Sequence, residues 1–245
     1  MDLLELRSLT AGYNDNPVAT EISLRVGEGA IVALLGPNGA GKTTVLKALV
    51  GEARVFSGSV LLRGDDVTGV SPEHLARRGL GYVPQSDNVF PSLTVIENLE
   101  MGAYLAPRRK VRERIEAILD EFPPLRGLLR REVSRLSGGE RRLVAIGRAL
   151  VLSPAVLLLD EPTANLSPSN ARRVLTEYVT QVAGSGTGVL LVEQRAKEAL
   201  EVAHHACVLS GGRLEISGAP SVLLERGDIG RLFLGESARN AAQEG

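Results

Sequence analysis

Gly36-Pro37-Asn38-Gly39-Ala40-Gly41-Lys42-Thr43 has the spacing G-x-x-x-x-G-K-[ST]. Each residue type in it has a task. Glycines let the backbone curl until its N–H groups converge on anionic oxygens. A helix starting at the end of the loop, with Thr44 in its first turn, adds its positive dipole end. Lys42 is placed to reach the β- and γ-phosphates of a nucleotide, and the Thr43 hydroxyl to ligate Mg²⁺. A plain glycine turn ending in Lys-Thr would lack the correct flanks, which here are an apolar strand before and a helical pattern after.

Two further clusters carry chemistry. Val156-Leu157-Leu158-Leu159 runs straight into Asp160-Glu161. A buried strand ending in two carboxylates offers one to hold Mg²⁺, Asp160, and one to polarise an attacking water, Glu161. Alone this pattern is common; the phosphate loop upstream makes it informative. Leu136 precedes Ser137-Gly138-Gly139-Glu140, which leads into a helix. That segment is a second backbone N–H cradle for phosphate; by itself it reads equally as an N-cap with flexible glycines.

These clusters need a frame. Ala30–Leu35 is a continuous apolar run, expected of a strand buried on both faces. Lys42–Val50 reads as a helix. Leu3–Leu9 and Ile22–Val26 alternate apolar and polar residues as strands do. Ser59–Leu62, Leu80–Val83, Val156–Leu159, Val189–Val192, Ala206–Leu209 and Leu214–Ser217 are the other expected strands. Thr94–Tyr104, Arg108–Phe122, Glu140–Leu152, Ala171–Val182 and Ala196–Ala203 are the expected helices, and Pro123-Pro124 ends the second of these. Strands alternating with helices predict an α/β chain with a mostly parallel sheet. The charged, all-helical stretch before Arg135 reads as an inserted lobe. Glu236–Gly245 is expected to fray.

Composition narrows the options. The 245 residues carry 28 basic and 29 acidic side chains, a net charge of −1, which argues against a general nucleic-acid binder. Trp is absent and aromatics are 3%, so stacking platforms for single strands are scarce. A lone cysteine, Cys207, forms no internal disulfide and fits a reducing compartment. No apolar run approaches the roughly 20 residues of a membrane span, and the N-terminus lacks the pattern of a signal peptide. Cys207 reads as core, His204-His205 as partly exposed, and Arg108-Arg109-Lys110 as a solvated helix start.

Taken in order, the phosphate loop, a helical insertion, Leu-Ser-Gly-Gly-Glu and apolar-Asp-Glu resemble the ATP-binding subunit of an ABC transporter over about residues 3–235. The resemblance implies a P-loop NTPase fold of the ABC ATPase type. Its core and N-terminal antiparallel β subdomain would span residues 1–85 and 137–235, with a helical subdomain at about 86–136. It implies ATP and Mg²⁺ as ligands, with Tyr13 stacking on adenine and Val18 as an apolar contact. Gln85 would link Mg²⁺ to the helical lobe. Two such subunits, alike or homologous, would close face to face, each ATP lying between one phosphate loop and the other chain's Ser137–Glu140. The partners implied are transmembrane permease subunits and, indirectly, a solute-binding protein, and the place is the cytoplasmic face of the inner membrane. The permease-facing surface would include Asn88, Val89 and Phe90.

Departures from the family pattern sharpen the reading. Gln194 stands where most members have the His that holds the γ-phosphate and the attacking water. A glutamine amide still donates a hydrogen bond but cannot become charged. Ser167 stands where many members have Asp. Val192-Glu193-Gln194, with Asn98-Leu99-Glu100-Met101-Gly102, resembles the ATP-binding subunits of branched-chain amino acid importers. Urea and short-chain amide importers share much of this pattern. A module that senses ATP with weak hydrolysis is the alternative of another class. A DNA- or ribosome-directed relative is disfavoured, because no paired ATPase domain, long coiled-coil insertion or basic excess is present.

Overall fold

The computed structural model describes residues 1–86 and 88–225; the expected fraying of Glu236–Gly245 and the end of the expected core, residues 226–235, lie outside them. The chain opens with β1 (Asp2–Tyr13) and β2 (Asn16–Gly27), paired antiparallel. Asn14 turns the chain with a φ of 53°, a left-handed conformation that asparagine tolerates. Both strands run longer than their alternation suggests. Their pairing shifts register at several points, and each shift resets which residues face inward, hiding the period of two.

Then follow β3 (Ile31–Leu35), α1 (Lys42–Leu49), β4 (Arg54–Leu62), β5 (Asp65–Asp66), α2 (Pro72–Arg77) and β6 (Leu80–Val83). Helix α2, which no periodicity announced, is only six residues long and starts with Pro at its first turn. The helical stretch contains α3 (Val95–Gly102) and α4 (Arg108–Glu121), then short 3₁₀ turns at Pro123–Leu128 and Val133–Arg135. After it come α5 (Gly138–Leu150), β7 (Val156–Asp160), α6 (Pro168–Arg173), a π-helical turn (Val174–Val179) and α7 (Thr180–Gly184). The chain continues through β8 (Gly188–Glu193), α8 (Ala196–Val202), β9 (His205–Ser210), β10 (Arg213–Gly218) and α9 (Pro220–Glu225). The helix after β7 starts three residues before the expected Ala171, because Ser167 caps it and Pro168 occupies its first turn.

Two sheets result. One is antiparallel, in the order β2-β1-β4-β5; the other is β10-β9-β3-β8-β7-β6, parallel except for β10. Strand β3 shows how they share the core. Ile31, Ala33 and Leu35 point into an apolar cluster with α3, α4, α5 and the helix after β7. Val32 and Leu34 point into a second cluster with α1 and the antiparallel sheet. β7 and β8 divide their residues between the same two clusters. This double burial is why these strands read as unbroken apolar runs. Cys207 is buried on β9, as expected, while His204 and His205 are both exposed. No helix among the described residues is long and apolar enough to cross a membrane.

One packing defect makes a prediction. At the end of α4, Glu121 Oε1 is buried with no hydrogen-bond partner among the described residues. Burial raises its pKa, with a smaller opposing effect from Ser185. The folded state therefore holds this proton more tightly than the unfolded state, and stability is lost as pH rises through the raised folded value. Glu121→Gln is expected to be more stable at pH 8, from relief of a poorly solvated charge, by an amount that solvent screening of this half-buried group keeps below about 1 kcal/mol. The gain should vanish below about pH 4, where both states are protonated. Urea denaturation of both proteins at the two pH values measures it.

Candidate functional site

Four parallel strands deliver the site from their carboxyl ends. β3 leads into the phosphate loop, β7 into Asp160 and Glu161, β8 into Glu193 and Gln194, and β6 through Pro84 to Gln85. Register holds them level: Leu35 pairs with Glu193, Val192 with Asp160, and Val83 with Leu159. The crevice beyond strand carboxyl ends is where open α/β sheets place ligands.

The loop geometry requires its glycines. A Cβ on Gly36 would lie 2.3 Å from the Leu209 carbonyl oxygen, and Gly41 adopts φ +102° beside the Val18 carbonyl. α1 begins at Gly41 with no side-chain cap and no acidic residue in its first turn. By contrast, α3 and α5 both carry reciprocal capping boxes. The first N–H groups of α1 are thus open to an anion. Val18, Asn38, Gly39, Gly41, Lys42, Thr43, Thr44, Gln85 and Glu161 line a cavity of about 430 Å³.

Lys42 is 4% exposed. Its ammonium donates to the carbonyls of Gly36 at 2.9 Å and Pro37 at 3.0 Å, and lies 3.5 Å from Glu161 Oε1. The other carboxylate oxygen of Glu161 accepts from Gln85 Nε2 at 3.0 Å. The Thr43 hydroxyl donates to Asp160 Oδ1 at 3.2 Å. Burial pushes the Asp160 carboxyl up, only partly offset by the Thr43 hydrogen bond and by Lys42 and Lys47. A hydroxyl and a buried carboxylate side by side form a hard-oxygen pair suited to Mg²⁺, which takes one or two protein ligands and completes its shell with phosphates and water. Among the described residues there is no cluster of three or more His, Cys, Asp or Glu side chains that could hold a metal.

Other expected residues lie apart from this cavity. Ser137–Glu140 does not line it. Ser137 Oγ accepts from the Glu140 N–H at 3.3 Å, and the Glu140 carboxylate accepts from the Ser137 N–H at 2.7 Å. Hydrogen bonding to its carboxylate from the Ser137 N–H, and then from the Ser137 side chain, holds the Glu140 pKa below the usual carboxylate range. Gly138 opens instead on a separate pocket with Gln85, Asn88 and Asn165. Tyr13, at the end of β1, is exposed and does not line the cavity either. The Gln194 side chain is exposed, with no hydrogen bond among the described residues; only its backbone N–H is engaged, with Glu193 Oε2 at 3.3 Å. Ser167 Oγ accepts from the Asn170 N–H at 3.4 Å and so caps α6.

Three charged residues of the region were given no role of their own by the sequence reading. Glu193 is 1% exposed, and burial raises its carboxyl pKa. Its signal was present: like Asp160, it ends an apolar strand. Arg142 and Arg148, both on α5, are depressed by burial, and each has an Nη1 without a partner among the described residues. Arg148 stacks 4.9 Å over the Phe90 ring. It also lines a cleft of about 290 Å³ with Tyr82, Asn88, Met101 and Tyr104. No periodicity distinguishes these arginines from their solvated neighbours Arg141 and Arg130.

The fold and the phosphate loop define a P-loop nucleoside triphosphatase. Comparison narrows the class: residues 19–164 match the ABC transporter family, and the chain belongs to that family as an ATP-binding, ATP-hydrolysing subunit that uses Mg²⁺. It is 40% identical to "Probable branched-chain amino acid transport ATP-binding protein LivF" of Archaeoglobus fulgidus, over 95% of this chain and 99% of that one. It is 34% identical to the high-affinity branched-chain amino acid transport ATP-binding protein BraG of Pseudomonas aeruginosa, over 95% and 100%. It is 35% identical to the lipopolysaccharide export system ATP-binding protein LptB of Haemophilus influenzae, over 96% and 98%. An ABC transporter ATP-binding cassette solved in its ADP conformation superposes with a TM-score of 0.86 at 25% identity, over 96% of this chain and 100% of that one.

Proposed function

We propose that this chain powers import of branched-chain amino acids, hydrolysing ATP on the cytoplasmic face of the membrane beside permease subunits. The observation that carries the solute class is the likeness to LivF and BraG across nearly the whole of each chain. Gln194, in a Val-Glu-Gln sequence, supports it. Likeness to LptB keeps export as the competing reading.

The roles of the phosphate loop and the strand-end carboxylates rest on their chemistry, and those of Tyr13, Val18, Gln85 and Ser137–Glu140 on the family resemblance. Backbone N–H groups of the phosphate loop and Lys42 take the phosphate oxygens, Val18 and Tyr13 the base, and Thr43, Asp160 and Gln85 the Mg²⁺ side. Bound Mg²⁺ neutralises charge on the phosphates. Glu161 accepts a proton from the water that attacks the γ-phosphorus as the bond to the ADP oxygen breaks. Most of the acceleration comes from positioning and charge stabilisation. Ser137–Glu140 faces the ATP of a second ATPase subunit, alike or homologous, and closure of the pair is a population shift driven by nucleotide. The helical lobe, about residues 86–136, docks on the permease through Asn88, Val89 and Phe90. Exposed Met101 and Tyr104 and the Arg148 guanidinium continue that face.

Gln194 donates to the γ-phosphate as a neutral group. Gln194→Ala should lower kcat by about 10²-fold, the scale for one lost transition-state donor, and Gln194→His should restore most of it. Equal rates in Gln194→Ala and the unchanged protein would remove Gln194 from the reaction. The solute is tested by uptake of labelled leucine in source cells carrying Lys42→Ala against unchanged cells. Loss of uptake is expected. Full uptake with the variant expressed would overturn the leucine assignment or reveal a second importer, and urea and short amides would be assayed next.

A further inference from the structure

Glu161 sits in a backbone conformation that its type rarely adopts, with φ at 44°. Such a residue persists only where its neighbours are fixed. On one side its own N–H donates to the Val192 carbonyl at 2.9 Å. On the other side Pro162 has no N–H to offer. The next available donor is the N–H of Thr163, and it goes to Glu193 Oε1 at 2.9 Å. Glu193 Oε2 meanwhile accepts from the Gln194 N–H at 3.3 Å. Arg195 donates to the Leu166 carbonyl at 3.3 Å, tying the far end of the same loop to the same strand end.

One buried carboxylate thus grips two backbones: the loop that carries Glu161 and the residue after the strand, Gln194. We propose that Glu193 is a positioning residue for ATP hydrolysis, whose carboxylate clamps the Glu161 loop to the end of β8 and so fixes where the Glu161 carboxylate and Gln194 stand relative to the phosphate loop. This rests on Glu161 as the proton acceptor. Glu193 touches no nucleotide; it acts through the two residues it spaces. Among the described residues no hydrogen bond joins the Glu193 side chain to the phosphate loop, Lys42 or Thr43, so the clamp reaches nucleotide binding only through Glu161. A displacement of about 1 Å at a reacting group is enough for a loss near 10²-fold.

The test uses the full-length chain with Glu193→Asp, Glu193→Gln and, as a control, Glu161→Gln. Steady-state ATPase activity gives kcat and KM, and amide hydrogen exchange reads the Thr163 N–H. Aspartate keeps the charge but is one methylene too short to reach Thr163; glutamine keeps the length and one acceptor oxygen, enough for the Thr163 N–H but not for the Gln194 N–H as well. Glu193→Asp is expected to exchange Thr163 faster and to lose kcat by about 10- to 100-fold with KM for ATP little changed. Glu193→Gln, with one acceptor oxygen, is expected to keep Thr163 protected while giving up the Gln194 N–H, and so to lose less rate than Glu193→Asp. Glu193→Asp with full kcat, while Glu161→Gln is inactive, would overturn the clamp and leave the Glu161 assignment standing. Glu161→Gln with full activity would overturn both. If Glu193→Asp does not fold, Glu193→Gln decides: full turnover with an unprotected Thr163 amide would overturn the clamp.

Discussion

Replacing Glu161 by Gln should leave ATP bound and turnover nearly stopped, with kcat reduced by about 10³-fold, inside the range for removal of a general base. The geometry explains why binding survives. Glu161 contributes no N–H to the phosphate loop, and the neighbouring carboxylate, Asp160, keeps its bond from Thr43 at 3.2 Å. A glutamine at 161 can still accept from Gln85, which donates to Oε2 at 3.0 Å in the unchanged protein. What disappears is a carboxylate that takes a proton, together with the negative partner 3.5 Å from the Lys42 ammonium. Lys42 then has one fewer anion competing for it, so ATP affinity should hold steady or rise. Phosphate release and fluorescent-nucleotide titration on the same sample separate the two effects. A variant that turns over ATP at the normal rate would remove Glu161 from proton transfer and leave only positioning and charge to account for the reaction.

The contrast between the two kinds of residue in this crevice explains what could be read without coordinates. Lys42, Thr43 and the loop glycines are fixed by local geometry: a tight turn between a strand and a helix constrains residue types at fixed spacing, and that spacing survives in the sequence. Asp160 announces itself in the same way, as an ionisable residue ending an apolar run. The long hairpin was only half legible, since the register shifts between β1 and β2 break the alternation that marks a strand. Ser137 and Glu140 were legible as a cap and are one. Their proposed role toward nucleotide rests on that cap geometry and on resemblance, because the partner they would face is another chain. Arg142 and Arg148 are defined by what packs around them after folding, and Glu193, which ends an apolar strand as Asp160 does, by what it grips. Thr163, which Glu193 grips, lies 30 positions away in sequence, and no local pattern encodes that meeting. The Gln194 side chain shows the limit from the other side: sequence singled it out, yet its amide stands exposed without a hydrogen bond among the described residues.

Lys42→Ala is expected to have an effect of comparable size that falls on binding as well as rate. The ammonium is nearly inaccessible to solvent and already serves three oxygens: the Gly36 and Pro37 carbonyls and Glu161 Oε1. Its removal has two consequences that a single activity number would merge. The phosphate loses a charge-assisted donor, for which about 3 kcal/mol, or roughly 100-fold in Kd, is a reasonable scale. The loop loses the cross-brace that ties the start of α1 back to the carbonyls at its own beginning. Lys42→Met controls for packing, since methionine fills most of the aliphatic volume while lacking both the charge and the carbonyl bonds. Lys42→Met and Lys42→Ala should weaken ATP binding equally, by about 100-fold, and both should lack measurable turnover. Lys42→Met keeps the packing around α1, so its thermal midpoint should exceed that of Lys42→Ala while binding stays equally poor. Calorimetric titration with MgATP, paired with thermal melts, measures the two effects. An Ala variant that binds MgATP as tightly as the unchanged protein would mean that the backbone N–H groups of the loop and the open end of α1 hold the nucleotide alone.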